Sequence, residues 1–212
     1  MIRTNWKEKV GLACLMLTVI TLAITITINA FPLYVFDIGH LDILDRVALS
    51  QEELLKNYRE LMSYLNFPWI SQLKMTDFPV SASGAFHFWE VKKLFLLNYG
   101  VFLLTVIPST MFLRKLWKEK RLWILNNGLT IAALVPVFLG FFMFVGFDKF
   151  FTTFHHVFFN NDAWIFDPEL DPIILALPEQ YFFHSFILAI VLFELIILGI
   201  IYIGRRQFKS KN

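Results

Sequence analysis

A single cysteine, Cys14, stands in the 212 residues, which excludes an internal disulfide and any cysteine-rich metal centre. The letters Gly11-Leu12-Ala13-Cys14 resemble a lipidation box, but there the cysteine follows the apolar stretch, whereas here it opens one. Charge is thin as well. Asp, Glu, Lys and Arg make up 17% of the chain with a formal net charge of +2, and no nucleic-acid partner is expected. Absent too are a G-x-S-x-G elbow, an H-E-x-x-H pair, a P-loop and a G-x-G-x-x-G turn, so the common hydrolase, zinc-protease and nucleotide-binding classes lack their parts. Ser81 and Ser83 are available as nucleophiles, yet no motif surrounds them. There is no repeat and no low-complexity segment. What the chain does have is apolar bulk: 57% hydrophobic residues, 25 of them Phe, and a mean hydropathy of +0.60. That composition belongs to a membrane protein.

A hydrocarbon core of about 30 Å needs about 20 apolar residues in a helix, and four stretches qualify. Val10–Phe36, Leu94–Leu113 and Leu122–Phe147 carry no charge, and Tyr181–Gly204 carries only Glu194. Pro108 and Pro136 fall inside the second and third, where neighbouring helices can absorb a kink. The first stretch is longer than the apolar part of a signal peptide, so it reads as a retained span.

The basic residues orient these spans. Arg3, Lys7 and Lys9 precede the first, Arg114, Lys115, Lys118, Lys120 and Arg121 join the second to the third, and Arg205, Arg206, Lys209 and Lys211 follow the fourth. These three groups share one side, and most of the acids lie in the two other connections. Positive residues stay inside, so both termini are expected in the cytoplasm, with segments 37–93 and 148–180 outside. The expected architecture is an all-α membrane protein: one membrane domain over residues 1–212, four transmembrane helices, and an extracellular cap built from the 1–2 and 3–4 loops.

Segment 37–93 holds Ser50-Gln51-Glu52-Glu53, a capping-box pattern at the start of a helix. Leu54, Leu55, Tyr58, Leu61, Met62 and Leu65 then recur at three- and four-residue steps on one face. Such a helix lies on the membrane surface, covers the bundle, or packs on a core of its own. Pro68 and Asp77-Phe78-Pro79 break the pattern, and Ser81-Ala82-Ser83-Gly84 leads into the second span. In 148–180, Phe150, Phe151, Phe154, Phe158 and Phe159 crowd around His155 and His156, ahead of turn sequences at Asn160-Asn161-Asp162 and Asp167-Pro168.

All five histidines, His40, His87, His155, His156 and His184, fall outside the spans or at their outer boundary. Imidazole exchanges protons near neutral pH, so the group is a candidate acid–base set, against the plainer reading of histidines that bond backbone at an interface. Zinc held by His87, His155, His156 and a carboxylate is a further arrangement, and bis-histidine haem another, although haem would want its ligands within the helices. The aromatics read by default as an interfacial belt, and the Phe cluster beside the histidines reads compatibly as the lining of an acyl pocket. Glu194, in mid-span, faces the bundle interior or is protonated; it is a structural hydrogen-bonding group or a proton-transfer group. Lys92 either reaches the surface or holds a carbonyl or phosphate of a substrate. A non-catalytic partner or ligand-sensing protein fits the same topology, and a proton-linked carrier would rely on Glu194.

Two blocks narrow these alternatives. Phe86-His87-Phe88-Trp89-Glu90-Val91-Lys92 is one. The other is Phe154-His155-x-x-Phe158-Phe159 with Asn161-Asp162-x-Trp164-Ile165-Phe166-Asp167-Pro168 and Leu177-Pro178-Glu179. Together with the layout of the whole chain they resemble the lipoprotein intramolecular transacylases, small four-span proteins of Gram-positive bacteria. The resemblance implies a multi-pass acyltransferase of the bacterial cell membrane. It moves an acyl chain from the sn-2 oxygen of a diacylglyceryl lipoprotein to the α-amine of the lipidated amino-terminal cysteine, giving the lyso form. It further implies catalytic His87 and His155, with Phe86, Trp89, Lys92, Phe154, Phe158 and Trp164 against the substrate. The partners it implies are the lipoprotein and membrane lipid; it calls for no cofactor or metal and is compatible with a monomer.

Overall fold

A computed structural model describes residues 6–209. The terminal charges Arg3 and Lys211 lie outside the described residues. The secondary structure among the described residues is helical throughout: α1 (Trp6–Ile28), α2 (Phe31–His40), α3 (Gln51–Asn66), α4 (Ala82–Lys118), α5 (Asn126–Val145), α6 (Phe147–Phe158), α7 (Ile173–Ala176) and α8 (Glu179–Lys209). Short 3-10 turns at Ile43–Arg46 and Leu122–Leu125 complete it. Four helical stretches are long and apolar enough to cross a membrane: Trp6–Ile28, Ala82–Lys118, Leu122–Val145 and Glu179–Lys209.

The chain forms two compact units, one from Met1–Ile28, Asn98–Phe144 and Phe186–Asn212, the other from Asn29–Leu97 and Val145–Ser185. The first unit is a helix bundle. Leu15, Val19 and Ala23 of α1 meet Leu116, Leu125, Leu129, Phe193, Ile197 and Ile201 in its core. Gly11 permits a close approach there, because a Cβ at that position would stand 2.6 Å from the Phe112 ring. Hydroxyls join the same two helices: Thr18 Oγ1 lies 3.0 Å from that of Thr105 and 2.9 Å from Ser109 Oγ. Leu103, Leu104, Ile107, Ile131, Leu134, Phe144 and Leu195 stay exposed. In water that surface would be a liability; against acyl chains it is the expected one.

The second unit has its own core. Tyr34 of α2 stacks on Tyr58 of α3 at 3.8 Å, its hydroxyl donates to the Ala176 carbonyl at 3.0 Å, and the Tyr58 and Tyr181 hydroxyls lie 2.9 Å apart. Leu54, Leu61 and Leu65 join Ile38, Ile43, Phe78, Phe88 and Ile173 around them. The capping box at Ser50 and Glu53 is formed. The apolar face of α3 therefore packs on a core of its own unit. Leu55 and Met62 lie at the edge of that core, half-buried.

Two apolar runs are cut where hydropathy alone shows no break. The first, Val10–Phe36, forms two helices divided at Asn29-Ala30, with Pro32 in the first turn of α2, where a missing N–H costs nothing. The third, Leu122–Phe147, ends as a helix at Val145, and α6 restarts after Gly146. The helix α4 is 37 residues long, about 55 Å at 1.5 Å per residue and more than a bilayer core needs. Its charge-free part, 94–113, suffices to cross, and His87 lies ahead of that part.

Candidate functional site

Asp171 sets where α4 starts. Its buried carboxylate accepts from Ser81 N at 2.7 Å and from Ser81 Oγ at 2.6 Å, while Ser81 Oγ accepts from Gly84 N at 2.9 Å. These bonds satisfy amides that no preceding turn can serve, and an acid there also suits the helix dipole. Gly84 is required: a Cβ at that position would run into the Asp171 carboxylate. One turn on, His87 projects from α4 and is 6% exposed.

The second imidazole comes from α6. Phe147, Phe150, Phe151, Phe154 and Phe158 recur at three- and four-residue steps, and His155 shares that apolar face, 8% exposed. Its Nδ1 lies 2.7 Å from the Phe151 carbonyl oxygen. A carbonyl can only accept, so Nδ1 carries the proton and Nε2 keeps the lone pair. Burial holds the His155 imidazolium below its ordinary range; the bond to Phe151 partly offsets that, and neighbouring His156 adds to the lowering.

The two rings meet. The His87 and His155 centroids are 5.7 Å apart. Phe159 and Phe166 approach His87 edge-on at 4.7 and 5.6 Å. Trp164 lies nearly parallel to His155, with centroids 4.6 Å apart, and meets His156 edge-on at 5.5 Å. Phe154 flanks His155 at 5.7 Å and Phe158 at 4.7 Å. Two polar atoms in this aromatic enclosure, His87 Nδ1 and Trp164 Nε1, are shut from solvent with no hydrogen-bond partner.

The other candidates sit apart from the imidazole pair. Phe86 and Trp89 are exposed on α4, 5.6 Å from each other, with the Lys93 ammonium 3.7 Å over the Trp89 ring. Lys92 is committed to backbone: its ammonium donates to the carbonyls of Phe67 at 2.9 Å and Ile70 at 2.5 Å, above the Tyr64 ring. His184 belongs to a separate pair, its Nδ1 2.7 Å from Oδ1 of fully buried Asp37, with His40 at 5.7 Å. Among the described residues no group of three or more His, Cys, Asp or Glu side chains converges as metal ligands would.

Sequence reasoning missed the supports. Phe159 and Phe166 wall His87, and Asp171 anchors its helix. Asn161 Nδ2 donates to Glu90 Oε2 at 3.0 Å while its Oδ1 accepts from Ala163 N at 2.9 Å, which ties the turn bearing Trp164 to α4. The turn signature Asn161-Asp162 was visible in the chain; its attachment to Glu90 was not.

Comparisons with known proteins give a family and a fold. The family described as lipoprotein intramolecular transacylase Lit matches residues 9–182. The solved structure of the membrane-integral lipoprotein intramolecular transacylase Lit from Bacillus cereus is 28% identical, with a TM-score of 0.91, over 97% of this chain and 95% of that one. A variant of that protein with a histidine replaced by arginine is likewise 28% identical, with a TM-score of 0.82 over 97% and 92% of the two chains. Its counterpart with alanine is also 28% identical and gives 0.83 over 97% and 93%. No match was found among curated proteins.

Proposed function

Since the chain belongs to the lipoprotein intramolecular transacylase family, we propose that it is a membrane acyltransferase that moves the sn-2 acyl chain of a diacylglyceryl lipoprotein onto the α-amine of the amino-terminal cysteine. The observation that carries this reading is the pair of enclosed imidazoles 5.7 Å apart, delivered by α4 and α6.

The chemistry needs no enzyme nucleophile. The cysteine nitrogen attacks the ester carbonyl carbon, a carbon–nitrogen bond forms, and the carbon–oxygen bond to the glyceryl group breaks. The proton that leaves nitrogen ends on the departing glyceryl oxygen, so the step balances without a co-reactant. The ring closed in the attack runs through nitrogen, α-carbon, β-carbon, sulfur, two glyceryl carbons, oxygen and acyl carbon. Eight-membered rings form poorly unaided, and a shaped enclosure that folds the lipid head supplies the missing orientation. With Nδ1 committed to Phe151, Nε2 of His155 is the free acceptor, which supports it as the base that takes the amine proton. His87, its ring centroid 5.7 Å away, is then placed to relay that same proton to the leaving oxygen, so that both imidazoles end neutral as they began. Phe154, beside His155, and Phe158, packed on Phe154, suit the acyl chain.

The positive groups at Lys7 and Lys9, Arg114–Arg121 and Arg205–Lys209 support a cytoplasmic location for both termini, which puts the site at the outer face of the bacterial cell membrane where mature lipoproteins reside. The test is mass spectrometry of a reporter lipoprotein from cells expressing the chain. Wild type is expected to give the lyso form, N-acylated and S-monoacylated, and His87→Ala and His155→Ala to lose it while still inserting. Undiminished lyso product from both variants would overturn the mechanism.

A further inference from the structure

The enclosed donor on Trp164 is used by nothing else in the fold. Its Nε1 is shut from solvent without a partner, although buried N–H groups are almost always paired, and an unpaired one is a reason to look for a ligand. The indole stacks on His155 with centroids 4.6 Å apart and 26° between the planes, so its ring borders the space around the base. Its position is braced: Asn161 bonds Glu90 and the Ala163 amide, and Glu90 follows His87 by less than one turn of α4. One helix thus fixes both the His87 imidazole and the turn bearing the indole.

We propose that the indole N–H of Trp164 is the electrophilic donor of the transfer, bonding the ester carbonyl oxygen and holding it as negative charge builds there. The inference rests on the His87–His155 site being the place of reaction. Of the other donors nearby, His87 is assigned to the leaving glyceryl oxygen and the rest are committed. The Lys92 ammonium serves Phe67 and Ile70, and the α6 amides beyond its first turn serve the helix. His155 Nδ1 serves Phe151. An indole neither accepts nor surrenders a proton in this range, so its part is purely to donate a hydrogen bond. In the step, the nitrogen bonds the acyl carbon and the carbonyl electron pair moves to oxygen. That oxyanion stays on the Trp164 N–H until collapse expels the glyceryl oxygen, which takes the proton lost by nitrogen. A neutral donor in a buried aromatic enclosure is worth more to an oxyanion than to the starting ester, which is the requirement for catalysis.

The experiment compares purified wild type, Trp164→Phe, and the full-length protein carrying 3-benzothienylalanine at position 164, an isostere with sulfur in place of N–H. The probe is a synthetic diacylglyceryl lipopeptide in bilayer discs, with kcat, KM and the apparent melting temperature read for each. The expected result is a kcat lower by about 100-fold in both variants, the usual effect of losing one oxyanion donor, with KM and melting temperature close to wild type. A kcat near wild type in the isostere, or a rise in KM alone, overturns the inference whatever Trp164→Phe does. His155→Ala in the same assay separates the two readings. If wild type turns over and His155→Ala does not, the site stands and the isostere alone judges Trp164; a wild type without turnover fails both.

Discussion

His155 carries an asymmetry with a measurable consequence. Its imidazolium is disfavoured by burial, so the neutral form that accepts a proton is complete at neutral pH and is lost only as pH falls through a point below the ordinary imidazole value of about 6.5. The amine of the substrate, with a pKa of about 8, is mostly protonated at neutral pH and must lose its proton first. The expected profile of kcat/KM rises about tenfold per pH unit up to about pH 8 and shows no inflection near 6.5. An inflection at 6.5 in the wild-type profile would show an unburied base and count against the enclosure. Lys92 makes the contrasting case. Its two backbone acceptors carry no side-chain signature, so from the sequence it read first as a surface lysine and second as a substrate contact. Lys92→Met strands two carbonyls at about 1–3 kcal/mol each where burial is complete. The expected result is a lower apparent melting temperature with kcat close to wild type; a collapse of kcat at unchanged stability would return Lys92 to the substrate.

At the scale of elements, what could be read and what could not divide along a physical line. The start of α3 was legible because its cap is local: Ser50 and Glu53 satisfy each other three residues apart, and the Ser50 hydroxyl and amide hold the Glu53 carboxyl below its usual range. That contribution is present above the ordinary carboxylate pKa of about 4.3 and is lost as pH falls through the lowered one. Ser50→Ala is expected to lower the apparent melting temperature by about 2–4 °C at pH 7. Recovery of the difference at acid pH, where the box is open in wild type too, is the check. The division of Val10–Phe36 into α1 and α2 was not legible from hydropathy, because an interhelical break is invisible when both sides are apolar; Pro32 was the only mark. The anchor of α4 was hidden for another reason, since Ser81 and Asp171 meet across 90 residues. Gly84→Ala tests it. A methyl driven into the Asp171 carboxylate should cost about 1–3 kcal/mol, as overpacking does. Activity should fall with stability, because His87 rides on the same helix turn.

For the whole molecule, four charge-poor stretches were enough to read an all-helical membrane protein, since hydrocarbon tolerates little else. The meeting of His87 with His155 was not readable from spacing, because nothing local couples residues on α4 and α6; only the resemblance of their flanking motifs joined them. The proposed orientation rests on charge placement, and a direct prediction comes from it. The sole cysteine, Cys14, lies in α1, so a Cys14→Ser background leaves no native thiol. Lys74→Cys in that background replaces an exposed residue between α3 and α4, and Lys118→Cys an exposed residue at the end of α4 among Arg114, Lys115, Lys120 and Arg121. In intact cells an impermeant maleimide should label the first and spare the second until the membrane is opened. In the proposed orientation those basic residues resist translocation and keep their connection inside, with the α3–α4 connection outside. Labelling of Lys118→Cys alone would invert the protein and put the imidazole pair in the wrong compartment for a mature lipoprotein.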